Sequence, residues 1–327
     1  VLRLSIVIPV VGNSKQLDDT LVSVLENRPA NCEVLVVHNE PYNDPYELAG
    51  EVQFIQAERE AGFAECLNLG LAACQAPVVH VLTCGVTVRA GWADAALCHF
   101  RNAEIGGVAA LVLHRTDNQK AVSTGLDYRA DKQKVVSAGI DYRAEGSVLR
   151  VGQGETAETI VADQDDFHAP DTLAAFYRTS AVQAVGGFPT WTHGALAAVD
   201  VAMSLRHAGF RCVVEPACVA AADIAAARDE RGFRHGRHSE RLFWRWTSHR
   251  RVGSIAAHVA LVAGECVIMV WRPLMLLQLF GRFCGVIIAA LAKRRLEPMQ
   301  ADDAESSPIL PLPHFDAATR QARRRAA

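Results

Sequence analysis

The chain has 327 residues, half of them hydrophobic and 21% charged, with a formal net charge of −3. That is a globular composition, and without a global basic field it excludes a protein that coats nucleic acid. The charge is uneven: Arg and His crowd the stretch from Arg228 to Arg251, and Arg323, Arg324 and Arg325 lie near the end, a local basicity that suits an anionic ligand or a membrane surface.

Leu4 to Val10 is a continuous apolar run rich in β-branched residues, which predicts a buried strand. Leu17, Leu21, Val24 and Leu25 follow at helical spacing. Strands are expected at Val34–Val37, Val52–Ile55, Val78–Leu82 and Val108–Leu113, and helices over 61–74 and 92–100 between them. Strands alternating with helices at this spacing make βαβ units and an α/β fold, a doubly wound, mostly parallel sheet with helices on both faces. An irregular part runs from about residue 114 to 170. It contains an echo, Val122 to Ala130 recurring as Val136 to Ala144, which two copies make a local duplication or a hairpin pair rather than a solenoid. Beyond it come a strand over Leu173–Tyr177, a Gly186-Gly187-Phe188 turn, and a helix over Leu196–His207 ended by Gly209. A closing strand at Cys212–Val214 has Pro216 after it.

The character changes beyond residue 225. Phe243 to Trp246 lie in a basic, aromatic segment. Val252–Trp271 and Leu274–Leu291 are apolar and near spanning length, yet His258, Glu265 and Arg282 fall inside them and are expensive in hydrocarbon. Packed helices, helices lying on a membrane and a spanning hairpin all stay open. The expected organisation is a ligand-binding domain over 1–224, a basic and apolar helical region over 225–297, and a disordered tail over 298–327. The nine cysteines form no CxxC pair and sit mostly in apolar runs, as reduced buried thiols do in a cytoplasmic protein. The start of the chain has no signal-peptide pattern. A cytoplasmic location, with or without association to the inner membrane face, is the expectation.

In open α/β sheets the ligand lies outside the carboxyl ends of the strands. Those ends read Pro9-Val10-Val11-Gly12-Asn13, His38-Asn39 and Thr83-Cys84-Gly85. No GxGxxG follows the first strand and no GxxxxGK[ST] occurs, which disfavours a dinucleotide oxidoreductase and a P-loop NTPase.

The opening LSIVIPVVGNSKQLDDTLVSVL, the VVHNEPYND at the end of the second strand, and Gly62-Phe63 with Asn68 and Gly70 downstream come in a particular order. They are followed by Gly186-Gly187-Phe188, Val199-Asp200-Val201-Ala202 with Arg206, and Gly209-Phe210-Arg211 through Pro216. Over roughly residues 3 to 220 this order resembles the family 2 glycosyltransferases of GT-A fold. The resemblance implies a nucleoside diphosphate sugar over the strand ends and an inverting attack by an acceptor hydroxyl. A carboxylate acts as base, and a divalent metal on an Asp-x-Asp motif neutralises the leaving diphosphate. Asp200 matches the base. Pro9, Val11, His38, Asn39, Gly62, Asn68, Thr83 and Gly85 match the nucleotide side, with turn and packing chemistry an equal reading for Asn39 and Asn68, and a core or turn role for His38.

The sequence departs from that pattern at the metal. Thr83-Cys84-Gly85 stands where the Asp-x-Asp would be, Ala202 replaces a second acid, Val199 replaces a Glu, and Ala220-Ala221-Ala222-Asp223 stands where a metal-binding His is common. Hard Mg²⁺ or Mn²⁺ prefers charged oxygen ligands, so a standard metal site is not expected; Mg²⁺ or Mn²⁺ stays open as a cofactor, with Asp223 a substitute ligand. Two substitutes offer themselves. Arg237 and Arg241, in a cluster with Arg234, His235 and His238, could neutralise the leaving group; Asp163, Asp165 and Asp166 could hold a cation. Two functions follow. One is a glycosyltransferase with a nucleotide-diphosphate-sugar donor and an unknown glycan, lipid or small-molecule acceptor. The other is a degenerate relative that binds nucleotide, glycan or a partner without turnover.

Overall fold

The computed structural model describes residues 2–12, 16–42, 44–115, 133–160, 168–223, 232–246, 252–269 and 274–302. The first strand, β1 (Leu4–Val10), is buried along all seven residues. It is continuously apolar because both its faces and both its edges are covered: β2 (Cys32–His38) and β4 (Val78–Leu82) flank it in parallel. The main sheet runs β3-β2-β1-β4-β11-β6-β12-β5, with β7 added on β6. Here β3 is Gln53–Gln56, β5 Thr87–Val88, β6 Ile105–His114, β7 Val135–Ser137, β11 Ala174–Arg178 and β12 Arg211–Ala222.

Alternate side chains of β1 enter opposite cores. Leu4, Ile6, Ile8 and Val10 pack with α1 (Leu17–Asn27) and α3 (Trp92–His99). Val7 packs with α2 (Phe63–Ala73), α4 (Thr179–Ala184) and α5 (Gly194–His207). The sheet is therefore doubly wound, as its βαβ spacing predicts. Its one internal reversal is β11, antiparallel to both β4 and β6. The strand β12 is longer than expected. It runs through Pro216 to Ala222, and a register shift against β6 between Glu215 and Val219 accommodates the ring.

The irregular part contains a small antiparallel sheet of β8 (Ile140–Tyr142), β9 (Val148–Arg150) and β10 (His168–Ala169). The second copy of the echo spans β7 and β8. The first copy, the acids Asp163, Asp165 and Asp166, and the expected tail from residue 303 lie outside the described residues.

Three helices follow: α6 (Phe233–Trp246), α7 (Val252–Met269) and α8 (Leu274–Asp302). The backbones of α6 and α8 touch. A β-carbon on Gly236 would strike the Gln278 carbonyl, one on Gly281 would strike the Phe233 carbonyl, and one on Gly285 would come within 2.6 Å of the Arg237 carbonyl oxygen. The charges that looked expensive in an apolar helix satisfy one another. Arg282 donates from Nε and Nη2 to Glu265 (2.7 and 2.8 Å) and from Nη1 to Glu240 (3.1 Å). His258 stacks on Phe243 at 3.7 Å, and its ring nitrogens meet the Glu145 carbonyl (2.6 Å) and the Glu240 carboxylate (2.9 Å). Trp244 Nε1 donates to the same carboxylate at 2.7 Å. No helix among the described residues is long and apolar enough to cross a membrane.

Burial pushes the Glu240 carboxyl up, but His258, Trp244 and Arg282 together outweigh it and hold it below its ordinary value. A depressed carboxyl stabilises the fold above its unfolded pKa and loses that contribution as pH falls through the folded one. Glu240→Gln removes the buried carboxylate that His258, Trp244 and Arg282 share, leaving Arg282 with Glu265 alone. It is expected to cost about 3–5 kcal/mol at neutral pH, with the gap to the parent narrowing in acid, as followed by thermal melts across pH. Gly281→Ala, which forces α6 off α8, is expected to cost about 1–3 kcal/mol in denaturant titration.

Candidate functional site

The carboxyl ends of β1, β2 and β4 are tied together by their own polar groups. Pro9 is buried in β1 opposite Val37, and Val11 is exposed at the rim. His38 is turned back on its loop, its Nδ1 2.7 Å from the Glu40 carbonyl, with Tyr42 beside it stacked on Phe54 at 5.2 Å. The Asn39 amide accepts from Gly12 N–H (2.9 Å) and donates to the carbonyls of Ala61 (2.9 Å) and Arg59 (3.4 Å). It thereby fixes the loop after β1 to the loop that leads into α2.

The end of β4 is a tight turn. Thr83 Oγ1 donates to the Thr172 carbonyl at 2.8 Å, and Gly85 N–H donates to Thr20 Oγ1 at 2.8 Å. Gly85 has φ +92°, and a β-carbon there would run into Gln16. Asp223, at the end of β12, pairs with Arg115 at 2.9 Å, and Arg115 also reaches Asp19 at 3.2 Å. These residues do not fit a divalent cation. The threonine is spent on a carbonyl, the glycine has no side chain, and the aspartate is held by a guanidinium. Among the described residues no group of three or more His, Cys, Asp or Glu side chains could hold a metal ion.

A second feature lies alongside. A cavity of about 580 Å³ is bounded by Gly62 to Glu65 at the start of α2, by Thr190 to His193 ahead of α5, by Arg234, Arg237, His238 and Arg241 of α6, and by Ile288 of α8. That volume suits a small-molecule site. No side chain caps α2 at Gly62, so the positive end of that helix faces the cavity. The four α6 residues share one helix face because they recur every three or four positions. Arg241 lies 4.5 Å over the Trp191 ring. Burial, then Arg245 and Arg237, push its guanidinium pKa down against the opposing pull of Asp200. Arg237 Nη2 donates to His238 Nε2 at 3.0 Å. Burial and the surrounding Arg237, His193, Arg241 and Arg234 push His238 down to about 4. The neutral ring therefore carries its proton on Nδ1. That Nδ1 and Thr192 Oγ1 are buried without a hydrogen-bond partner, a rare condition that calls for an explanation at the site. Glu65 is the one acid among the lining residues.

Two of the sequence motifs build this wall. The Asn68 amide clamps Phe188, accepting from its N–H at 2.7 Å and donating to its carbonyl at 2.8 Å. Gly187, at φ +75°, leaves room for it. Gly70 lets α2 lie on the sheet, where a β-carbon would come within 2.5 Å of Val7. The Gly-Phe helix and the Gly-Gly-Phe turn thus recognise each other.

Asp200 sits in the middle of α5 and is 4% exposed. Its Oδ1 accepts from Trp246 Nε1 and pairs with Arg245 Nε, each at 3.0 Å. It does not line the cavity but lies behind Arg241. Burial raises its pKa, opposed by Arg245, Trp246 and Arg241. Of the residues named from sequence, Gly62, Arg234, Arg237, His238 and Arg241 meet at the cavity. Pro9, Val11, His38, Asn39, Thr83 and Gly85 lie at the strand ends, and Asn68 is inside the scaffold. Sequence reasoning missed Trp191, Thr192 and His193; the available signal was an aromatic and a histidine immediately before a helix N-terminus.

No family model matches the chain. It is similar to the pre-mycofactocin glycosyltransferases of two strains of Mycobacterium tuberculosis, at 26% identity over 256 residues, covering 75% of this chain and 47% of theirs. The chain thus spans about half the length of the curated relatives it matches. Its structure is similar to that of GalNAc-T7 with UDP, GalNAc and Mn²⁺, with a TM-score of 0.53 at 11% identity over 76% of this chain and 50% of that one. A mannosyltransferase from Pyrobaculum calidifontis in complex with GDP-Man and Mn²⁺ matches with a TM-score of 0.46 at 15% identity, over 90% of this chain and 87% of that one. The chain is glycosyltransferase-like and has a GT-A-like fold.

A carboxyl with a raised folded pKa keeps its proton to higher pH than the unfolded chain does. Its contribution to stability therefore falls as pH rises through that interval and stays low above it. Asp200→Asn retains an acceptor for Trp246 and removes a buried charge. It is expected to melt no lower than the parent at neutral pH, with its relative advantage disappearing in acid. A large loss at neutral pH would mean that the Arg245 pair outweighs the burial cost.

Proposed function

We propose that this protein transfers a sugar from a nucleotide-diphosphate donor to an acceptor hydroxyl by inverting displacement, using cationic side chains where relatives of this fold use a metal. The observation that carries the reading is the stripe of Arg234, Arg237 and Arg241 facing the uncapped start of α2 across one cavity. A departing diphosphate needs its charge spread at the moment of bond breaking, and preorganised donors in a partly dry site do this most effectively. The nucleoside would lie over Val11, His38 and Asn39 at the strand ends. The loop joined by Asn39 to Ala61 runs from there directly to Gly62, so one donor could span both places. The unpaired His238 Nδ1–H and Thr192 hydroxyl are suited to the phosphate or sugar oxygens of such a ligand.

Asp200 is the proposed base. Its raised pKa increases its basicity, and reaching a hydroxyl requires Arg245 and Trp246 to release it. That same engagement supports a second reading, in which the protein binds a sugar nucleotide without turning it over.

The test is a thermal-shift screen with UDP, GDP, dTDP and CMP in the absence of added metal, followed by assays of sugar transfer and hydrolysis. A ligand that binds only the folded state raises the melting temperature. One nucleotide is expected to do so without a metal, and Arg237→Ala and Arg241→Ala to abolish most of the shift. Asp200→Asn is expected to keep the shift and lose roughly 10²-fold or more in turnover. Full turnover by Asp200→Asn would remove the base assignment. A normal shift without turnover in the parent would favour the binding-only reading.

A further inference from the structure

The outward faces of α7 and α8 are apolar and uncovered. Val259 and Val267 on α7, and Leu276, Leu277, Phe280, Phe283 and Ile287 on α8, are each 45–70% exposed. Patches of this kind mark interaction sites. Two carboxylates of this region, Glu240 and Glu265, are used internally by His258 and Arg282. What borders the apolar face is positive. Arg237 lies 5.8 Å over the Phe233 ring, and Phe233 packs at 5.6 Å on Phe280, so the cationic wall of α6 adjoins the exposed stripe. Farther along, α8 continues into Lys293-Arg294-Arg295.

We propose that the α7–α8 face docks on an anionic lipid bilayer, with both helices lying in the interface and neither crossing it. Apolar side chains embedded at headgroup depth with cations at their margin are what an interfacial helix pair requires. A second copy of the chain fits less well. An isologous contact lays the patch on itself, and no acid occurs between Leu274 and Arg295 to answer the basic run. The docking stands whether or not the cavity turns over a sugar nucleotide. It would hold that cavity, to which α8 contributes Ile288, at the membrane surface.

The test is co-sedimentation of the full chain with vesicles of phosphatidylcholine alone and of phosphatidylcholine with phosphatidylglycerol, at low and high salt, alongside light scattering. Binding is expected to the phosphatidylglycerol vesicles and to weaken with salt. The double variant Phe280→Ser and Phe283→Ser is expected to lower it by at least about tenfold with an unchanged melting temperature and nucleotide shift. The triple variant Lys293→Gln, Arg294→Gln and Arg295→Gln is expected to remove its salt dependence. The proposal is overturned by absence of binding to either vesicle, whether the protein is then a monomer or a dimer that the Phe280/Phe283 variant dissociates. Equal, salt-insensitive binding to neutral vesicles overturns it as well.

Discussion

The position of α6 rests on one buried carboxylate. Glu240 faces inward from the middle of that helix and meets Trp244, His258 and Arg282. Two of those partners come from α7 and α8. An acid buried this deeply survives only because its charge is answered from several sides. The requirement locks the three C-terminal helices together, and glycines 236, 281 and 285 permit the close approach. Once α6 is held, its other side chains are placed with it. The arginine stripe must face the start of α2, and Arg245 and Trp246 must lie on Asp200.

The result is an anion-complementary wall built without metal ligands. Several arginines, a helix N-terminus and a neutral imidazole converge on one cavity, while the β4 turn is closed by Thr83, Gly85 and Gln16. These features are physically linked. A left-handed Gly85 packed against Gln16 offers no side chain at the turn, and the cationic groups lie instead on α6. Asp200 remains buried, held by Arg245 and Trp246.

Asn39 and Asn68 act on the scaffold. Each uses its amide to join two segments distant in sequence: Asn39 the loops after β1 and before α2, and Asn68 the helix α2 and the Gly-Gly-Phe turn. Their conformational demands also explain the glycines beside them, since Gly187 must be small where Asn68 presses on it. The motifs therefore position the cavity even where they do not touch its contents.

The sequence by itself determined the order of strands and helices through the doubly wound sheet, because buried parallel strands need continuous apolar runs and their connections need amphipathic helices. It also showed that Thr83-Cys84-Gly85 carries no carboxylate, and that α6 carries its arginines at helical spacing. Tertiary structure alone decided the reversal of β11, the passage of β12 through Pro216, and the use of Glu240, Glu265, His258 and Arg282 as one network. It alone also brought Thr190 to His193 opposite α6. Periodicity reports which face of an element is apolar. Strand direction, the partner of a buried charge and the meeting of segments far apart in the chain depend on contacts that no local pattern encodes.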